Sequence, residues 1–171
     1  DFQRGDLEER LRAPFAAHGV PLHYLQIEVT ENVLMDQEVA DQVVRLRELG
    51  MQVALDDFGT GFASLSHLKD FPFDYIKIDK SFIDNLLSDA VCGAIVEALI
   101  TVAQKMEIGI IAEGIESAEQ ANRLGEIGCP MGQGYHYFRP VDGETIATLL
   151  RSFDGSAAQQ VTGRYAERNS A

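Results

Sequence analysis

Short apolar runs alternate with amphipathic stretches along almost the whole chain, and that alternation limits the fold more than any other feature. Asp6 to His18 reads as a helix, with Asp6 at its N-cap and Gly19 just past its end. Tyr24 to Thr30 alternates apolar and polar residues as a strand does. A second helix carries Val39, Val43 and Leu46 at helical spacing and stops at Gly50. Met51 to Leu55 is a strand running into Asp56-Asp57. A Gly-rich loop and a short helix from near Ser64 follow, and Tyr75 to Ile78 is the next strand. The stretch from Asp89 to Met106 sets Val91, Ile95, Ala98 and Val102 on one helix face, and Ile108 to Ala112 is a continuous apolar strand. Ser117-Ala118-Glu119-Gln120 has the form of a capping box, and Gly128 ends the helix it starts. Met131 to Phe138 is predicted as the last strand, and Asp142 caps a final helix reaching Phe153. From Gly155 the composition turns small and polar, as in a loose tail.

One helix followed by five strand–helix pairs implies a parallel sheet with helical crossovers. The strand ends carry Glu28, Asp56, Lys77, Glu113 and Gln133, at intervals of 28, 21, 36 and 20 residues. A closed barrel of eight such units takes about 250 residues, or roughly 31 per unit. Five units are too few to close one. Either the sheet is open and doubly wound, or the first three strands of a barrel are not in this chain.

Of the 171 residues 46% are hydrophobic, enough for the core of one domain. The formal charge of −13 argues against a basic face for polynucleotides. It leaves two readings, a solvated acidic surface or carboxylates gathered on divalent cations. No apolar run approaches the ~18 residues needed to span a bilayer, so no membrane contact is expected. The first residues, Asp1 to Asp6, lack the apolar region of a signal peptide. The two cysteines, Cys92 and Cys129, read as small buried hydrophobes in a reducing compartment, and a cytoplasmic location is expected.

In parallel α/β folds ligands bind at the carboxyl ends of the strands, where this chain places its acids. Gathered carboxylates repel one another unless a hard cation sits between them, and few oxygen ligands completed by water suit Mg²⁺ or Mn²⁺. Asp56-Asp57 is either an ordinary helix-capping pair or a metal pair, one carboxylate shared by two ions and its neighbour on one. Asp57-Phe58-Gly59 also matches a kinase triplet, but no phosphate loop or catalytic-loop signature precedes it. Lys77, in an otherwise apolar strand, either snorkels outward or projects among the strand-end acids, where it could orient a water. Glu113 is a ligand candidate, and Glu116 either favours the start of the next helix or supports the site. Gln133 either binds water or substrate or satisfies backbone groups. His18, His23, His67 and His136 show no metal-ligand spacing, and no nucleophilic triad stands out. Metal-assisted hydrolysis is the indicated reaction class.

Glu28-Val29-Thr30-Glu31, Asp56-Asp57-Phe58-Gly59-Thr60-Gly61, Lys77-Ile78-Asp79, Ala112-Glu113-Gly114-Ile115-Glu116 and Gln133-Gly134 resemble, in order, the motifs of the EAL phosphodiesterase family. The resemblance implies a TIM-like (β/α) barrel of the EAL type, with its last five strand–helix units over residues 1–153 and a polar tail over 154–171. It implies hydrolysis of cyclic di-GMP to linear pGpG with two Mg²⁺ or Mn²⁺ ions. Glu28, Asp56, Asp57 and Glu113 resemble the metal ligands, Asp56 being shared, and Lys77 resembles the residue that positions the attacking water. Gln133 and Glu116 resemble supporting residues. Glu31 resembles the anchor of the loop from Phe58 to Ser64, which couples dimerisation to metal binding in the family. Phe62-Ala63 stands where the family often has Tyr-Ser. The Glu-Ala-Leu glutamate and the asparagine ligand of the following strand are absent, so little or no turnover is expected from these 171 residues alone. The competing function is a degenerate EAL domain that serves as a cyclic di-GMP receptor or protein-interaction module. An enolase-type metal barrel fits the acids but not the motifs.

Overall fold

The structure, a computed structural model, describes residues 7–30, 36–59 and 71–152. The cap at Asp6, Glu31, Phe62-Ala63, the helix from Ser64, His67 and the tail from Gly155 lie outside the described residues. The chain divides into two compact units, Asp1–Asp79 with Val102–Gly109, and Lys80–Thr101 with Ile110–Ala171.

The first unit opens with α1 (Leu7–Ala17) and a 3₁₀ turn at Leu22–Tyr24, followed by β1 (Gln26–Thr30), α2 (Gln37–Glu48), β2 (Gln52–Phe58) and β3 (Tyr75–Ile78). β1 therefore starts two residues later than the alternation predicts, because Leu22–Tyr24 closes into a turn with Leu25 N–H donating to the Leu22 carbonyl at 2.9 Å. Asp36 caps α2 by accepting from the Glu38 and Val39 amides at 3.0 and 3.4 Å, satisfying donors that the first turn leaves free. Val39, Val43 and Leu46, the three residues at helical spacing, are the buried ones. Gly50, at φ +98°, turns the chain into β2 through a conformation that L side chains disfavour. β1 and β2 pair in parallel from Gln26↔Gln52 to Thr30↔Asp56, and β2 pairs in parallel with β3. Val29, Val53, Ala54, Leu55, Ile76 and Ile78 are buried in these strands.

Asp74 ties the unit together. Its carboxylate accepts from the Val53 amide at 2.8 Å and from Arg47 Nη2 at 2.9 Å, so it links α2 to β2. Its own amide donates to the Val53 carbonyl at 2.9 Å, and its carbonyl accepts from Gly109 N–H at 2.9 Å. Charge-assisted bonds of this kind are worth about 1.5–3 kcal/mol each before solvent screening, and Arg47 is partly exposed. Asp74→Ala is expected to cost about 2 kcal/mol in urea unfolding; an unchanged midpoint would contradict this assignment.

The second unit contains α3 (Lys80–Asp84), α4 (Ala90–Met106) as far as Thr101, β4 (Gly109–Ala112) from Ile110, α5 (Ala118–Glu126), β5 (Met131–Gly132) and α6 (Gly143–Ser152). The capping box forms as the sequence predicts: Ser117 Oγ accepts from the Gln120 amide at 3.2 Å, and Gln120 Oε1 accepts from the Ser117 amide at 3.0 Å. Asp142 caps α6, accepting from the Thr145 amide at 2.8 Å. β4 and β5 pair in parallel through Ile111↔Met131 and Ala112↔Gly132.

Three expectations need correction here. β5 ends at Gly132 and does not reach Phe138. The Tyr137 and Phe138 amides fold back onto the Gly134 carbonyl at 3.0 and 3.3 Å, so the aromatic run that suggests a strand forms a turn. In α4 the buried stripe is Val96, Ile100 and Ala103, while Val91 is 67% exposed. Apolar residues circle much of this helix, so period alone does not choose its inner face. Cys92 and Cys129 are half-buried and free of any disulfide. Burial pushes the Cys129 thiol up to about 11, and partial desolvation beside Asp89 raises that of Cys92, so neither is primed as a nucleophile. No described helix is long and apolar enough to cross a membrane.

Candidate metal centre

In the first unit, period-2 strands in parallel register bring three of the expected residues to one face. Glu28 stands opposite Ala54 and Thr30 opposite Asp56, so Glu28 and Asp56 project from the same side of β1 and β2. Tyr75 is paired with Ala54, which puts Lys77, two residues on, on that side as well. Lys77 Nζ accordingly lies 2.8 Å from Glu28 Oε1 and 3.0 Å from Asp56 Oδ1. Lys77 does not snorkel: it is 4% exposed, the buried charged residue among the described ones. An ammonium taken so far from water needs countercharges, and the two carboxylates supply them.

Strict alternation would turn Asp57 away from Asp56. Instead the β2–β3 register slips between Leu55 and Phe58, and Asp57 takes a left-handed φ of +53°. Bulges of this kind re-aim a side chain, and aspartate is among the residues that tolerate the left-handed region. Carboxylate oxygens of Asp56 and Asp57 consequently come within 4.8 Å of each other. Two carboxylates this close offer a pair of oxygens to a divalent cation, and Asp57 is exposed enough for one to reach it.

Asp56 Oδ1 retains acceptor capacity. The atom is buried and accepts no well-aligned hydrogen bond, although Lys77 Nζ lies 3.0 Å away at an unfavourable angle. A buried carboxylate oxygen with an unused lone pair, next to a second carboxylate, suits a hard divalent cation. The donor set of this unit therefore fits Mg²⁺ or Mn²⁺.

In the second unit Glu113, Gly114, Ile115 and Glu116 form a turn between β4 and α5. Gln133 Nε2 donates to Glu113 Oε1 at 2.6 Å, while the Gln133 backbone accepts from the Ile115 amide at 3.0 Å and donates to the Ala112 carbonyl at 2.8 Å. The backbone of Gln133 thus closes the segment, and its side chain holds Glu113. Glu116 sits just ahead of the Ser117 cap and accepts from Lys80 Nζ at 2.9 Å. Lys80 also donates to Asp84 at 2.6 Å, and Asp84 first, then Glu116, push its pKa further above the ordinary lysine value. The sequence reading overlooked Lys80; its position four residues before Asp84, at the start of a helix, was the available signal. An open groove of about 700 Å³ runs from Glu113 and Gln133 past Tyr135 and Phe138, with the Arg139 guanidinium 4.4 Å above the Tyr135 ring. His18, His23 and His136 join no group of metal-ligand type among the described residues.

The EAL domain family model matches residues 1–140. Cyclic di-GMP phosphodiesterase NbdA of Pseudomonas aeruginosa is 37% identical over 158 residues, covering 91% of this chain and 20% of that protein. The EAL enzyme Bd1971, solved with cAMP and cyclic di-GMP bound, is 37% identical with a TM-score of 0.82, covering 86% of this chain and 40% of the other. The manganese and cyclic di-GMP complex of Klebsiella pneumoniae BlrP1 is 30% identical with a TM-score of 0.70, covering 78% of this chain and 34% of the other. The chain thus spans a fifth of the curated relative and less than half of either solved chain. Its fold is that of the EAL-type (β/α) barrel, represented by five parallel strands alternating with helices. The chain belongs to the EAL domain family.

Proposed function

We propose that this chain carries the larger part of a metal-dependent phosphodiesterase site that opens cyclic di-GMP to linear pGpG. The observation that carries the proposal is the pairing of buried Lys77 with Glu28 and Asp56, beside an Asp57 re-aimed by a bulge. Glu28, Asp56, Asp57 and Glu113 are the residues that would hold two Mg²⁺ or Mn²⁺ ions, Asp56 serving both. Bound there, the cations would lower the pKa of a water and offset charge on the phosphate. Lys77 would donate a hydrogen bond to that water and so orient it for attack. Its ammonium also orients Glu28 and Asp56, 2.8 and 3.0 Å away. As the water oxygen bonds to phosphorus, the P–O3′ bond breaks, and the proton lost by water ends on the departing 3′ oxygen. Gln133 fixes the rotamer of Glu113 through its 2.6 Å hydrogen bond. Arg139 and the neighbouring aromatic rings offer a stacking wall for a purine.

The test is chromatography of the products after incubating the complete EAL domain that contains this chain with cyclic di-GMP and Mg²⁺ or Mn²⁺. Formation of pGpG, abolished by EDTA, is the expected result. Binding of the dinucleotide without product would replace the hydrolase by a receptor.

A further inference from the structure

We propose that Lys80 is a positioning residue for Glu113, acting through the turn from Glu113 to Glu116 and thereby setting the affinity for the metal. The inference rests on the metal-dependent reading above and concerns a residue that no motif of the site includes.

The turn is gripped from two sides. On one, Ile115 N–H donates to the Gln133 carbonyl at 3.0 Å, the Ile115 carbonyl accepts from the His136 amide at 2.9 Å, and Gln133 Nε2 holds Glu113 Oε1. On the other lies Lys80. Its stem runs against Gly114, where an added Cβ would stand 2.7 Å from Lys80 Cδ and 2.8 Å from Lys80 Cβ. Gly114 is at φ +69°, so the turn needs a residue without a side chain there both for conformation and for room. The Lys80 ammonium then closes on Glu116 at 2.9 Å, while Asp84, one turn further along α3, holds the same ammonium at 2.6 Å. Asp84 thus fixes Lys80, Lys80 fixes Glu116, and the one-residue hinge at Gly114 passes that constraint toward Glu113.

Charge works in the same direction as packing. Glu116 is an anion three residues from a metal ligand of like sign. Paired with Lys80, it neither repels Glu113 nor competes with it for a cation. Without the ammonium, Glu116 swings free, the turn gains alternative conformations, and each cation bound must first order it. Groups that orient a metal ligand typically cost 10–100-fold in metal affinity when removed, and this one is half-exposed, so the lower end is expected.

The experiment compares the complete domain with its Lys80→Met and Lys80→Arg variants. Mn²⁺ binding is titrated by electron paramagnetic resonance, and pGpG formation is followed as a function of Mn²⁺. Lys80→Met should need roughly 10-fold more Mn²⁺ for half-saturation, with turnover recovering at saturating metal. Lys80→Arg, which keeps the charge and the reach to Glu116, should restore most of the affinity. Unchanged Mn²⁺ binding in Lys80→Met overturns the inference. So does a loss that arginine leaves unrepaired or that follows a fall in thermal midpoint, since either would make Lys80 merely structural. If the unmodified domain binds Mn²⁺ yet forms no pGpG, the hydrolase reading fails, while the titrations still decide the role of Lys80.

Discussion

Asp56→Asn is expected to lower pGpG formation by more than about 100-fold, beyond the 10–100-fold typical of groups that only orient a ligand. The exchange is nearly isosteric, so the packing of β2 is kept. What changes is the charge, and the oxygen that Asp56 presents is the atom least served by the protein itself: Oδ1 is buried and accepts no well-aligned hydrogen bond. An amide there has two poor choices. Turned one way, its carbonyl oxygen is a neutral and weaker ligand to a hard cation. Turned the other, its NH₂ faces the Lys77 ammonium, which lies 3.0 Å from Oδ1 in the native protein, and donor meets donor. Both should weaken Mn²⁺ binding and raise the pKa of the attacking water. Assays at saturating Mn²⁺ separate the two effects, since excess metal repairs occupancy but not the lost charge. Turnover within a few-fold of the native domain at saturating metal would remove Asp56 from the shared-ligand position.

Much of this arrangement is written in strand periodicity and cap chemistry. The β3 limits, the buried stripe of α2 and the capping box at Ser117 follow from local rules, because each is fixed by residues within one or two turns of each other. The gathering of Glu28, Asp56 and Lys77 follows as well, once parallel register is assumed, since alternation then leaves no other face for them. Lys77 in an apolar strand was ambiguous in the sequence. Burial at 4% exposure between two carboxylates removes the ambiguity, and only tertiary structure could do so.

The features that escaped are those in which a local preference loses to a contact distant in sequence. Tyr135 to Phe138 has the aromatic content of a strand. Yet Gly134 packs so tightly on the Ile115 backbone that a Cβ there would overlap it, and the chain must turn. The slip between Leu55 and Phe58 is invisible to alternation, which sends Asp57 the wrong way; the hint was an acid tolerant of positive φ two residues before Gly59. Asp74 reads as an ordinary loop aspartate, and its links to Arg47 and Val53 need three elements to be assembled first.

Lys77→Met should separate stability from function. Methionine matches the length and apolar stem of lysine and removes an ammonium whose burial is itself costly. Turnover should nevertheless fall by more than about 100-fold, because no thioether can donate to the attacking water or hold two acids in place. Stability should depend on metal. In EDTA the variant leaves Glu28 and Asp56 facing each other without a countercharge. Breaking a fully buried pair costs about 3–5 kcal/mol, but Glu28 is 46% exposed and can rotate to water, so about 1–2 kcal/mol is expected. For a chain of this size each kcal/mol moves the thermal midpoint by roughly 2–4 °C. Adding Mn²⁺ restores positive charge between the same carboxylates, so the midpoint should rise more in the variant than in the native protein. Two calorimetric scans, with EDTA and with Mn²⁺, measure that difference. Equal midpoints in EDTA would mean that the two ion pairs contribute nothing to folding, and an equal response to Mn²⁺ would mean that the metal does not sit among the acids that Lys77 holds.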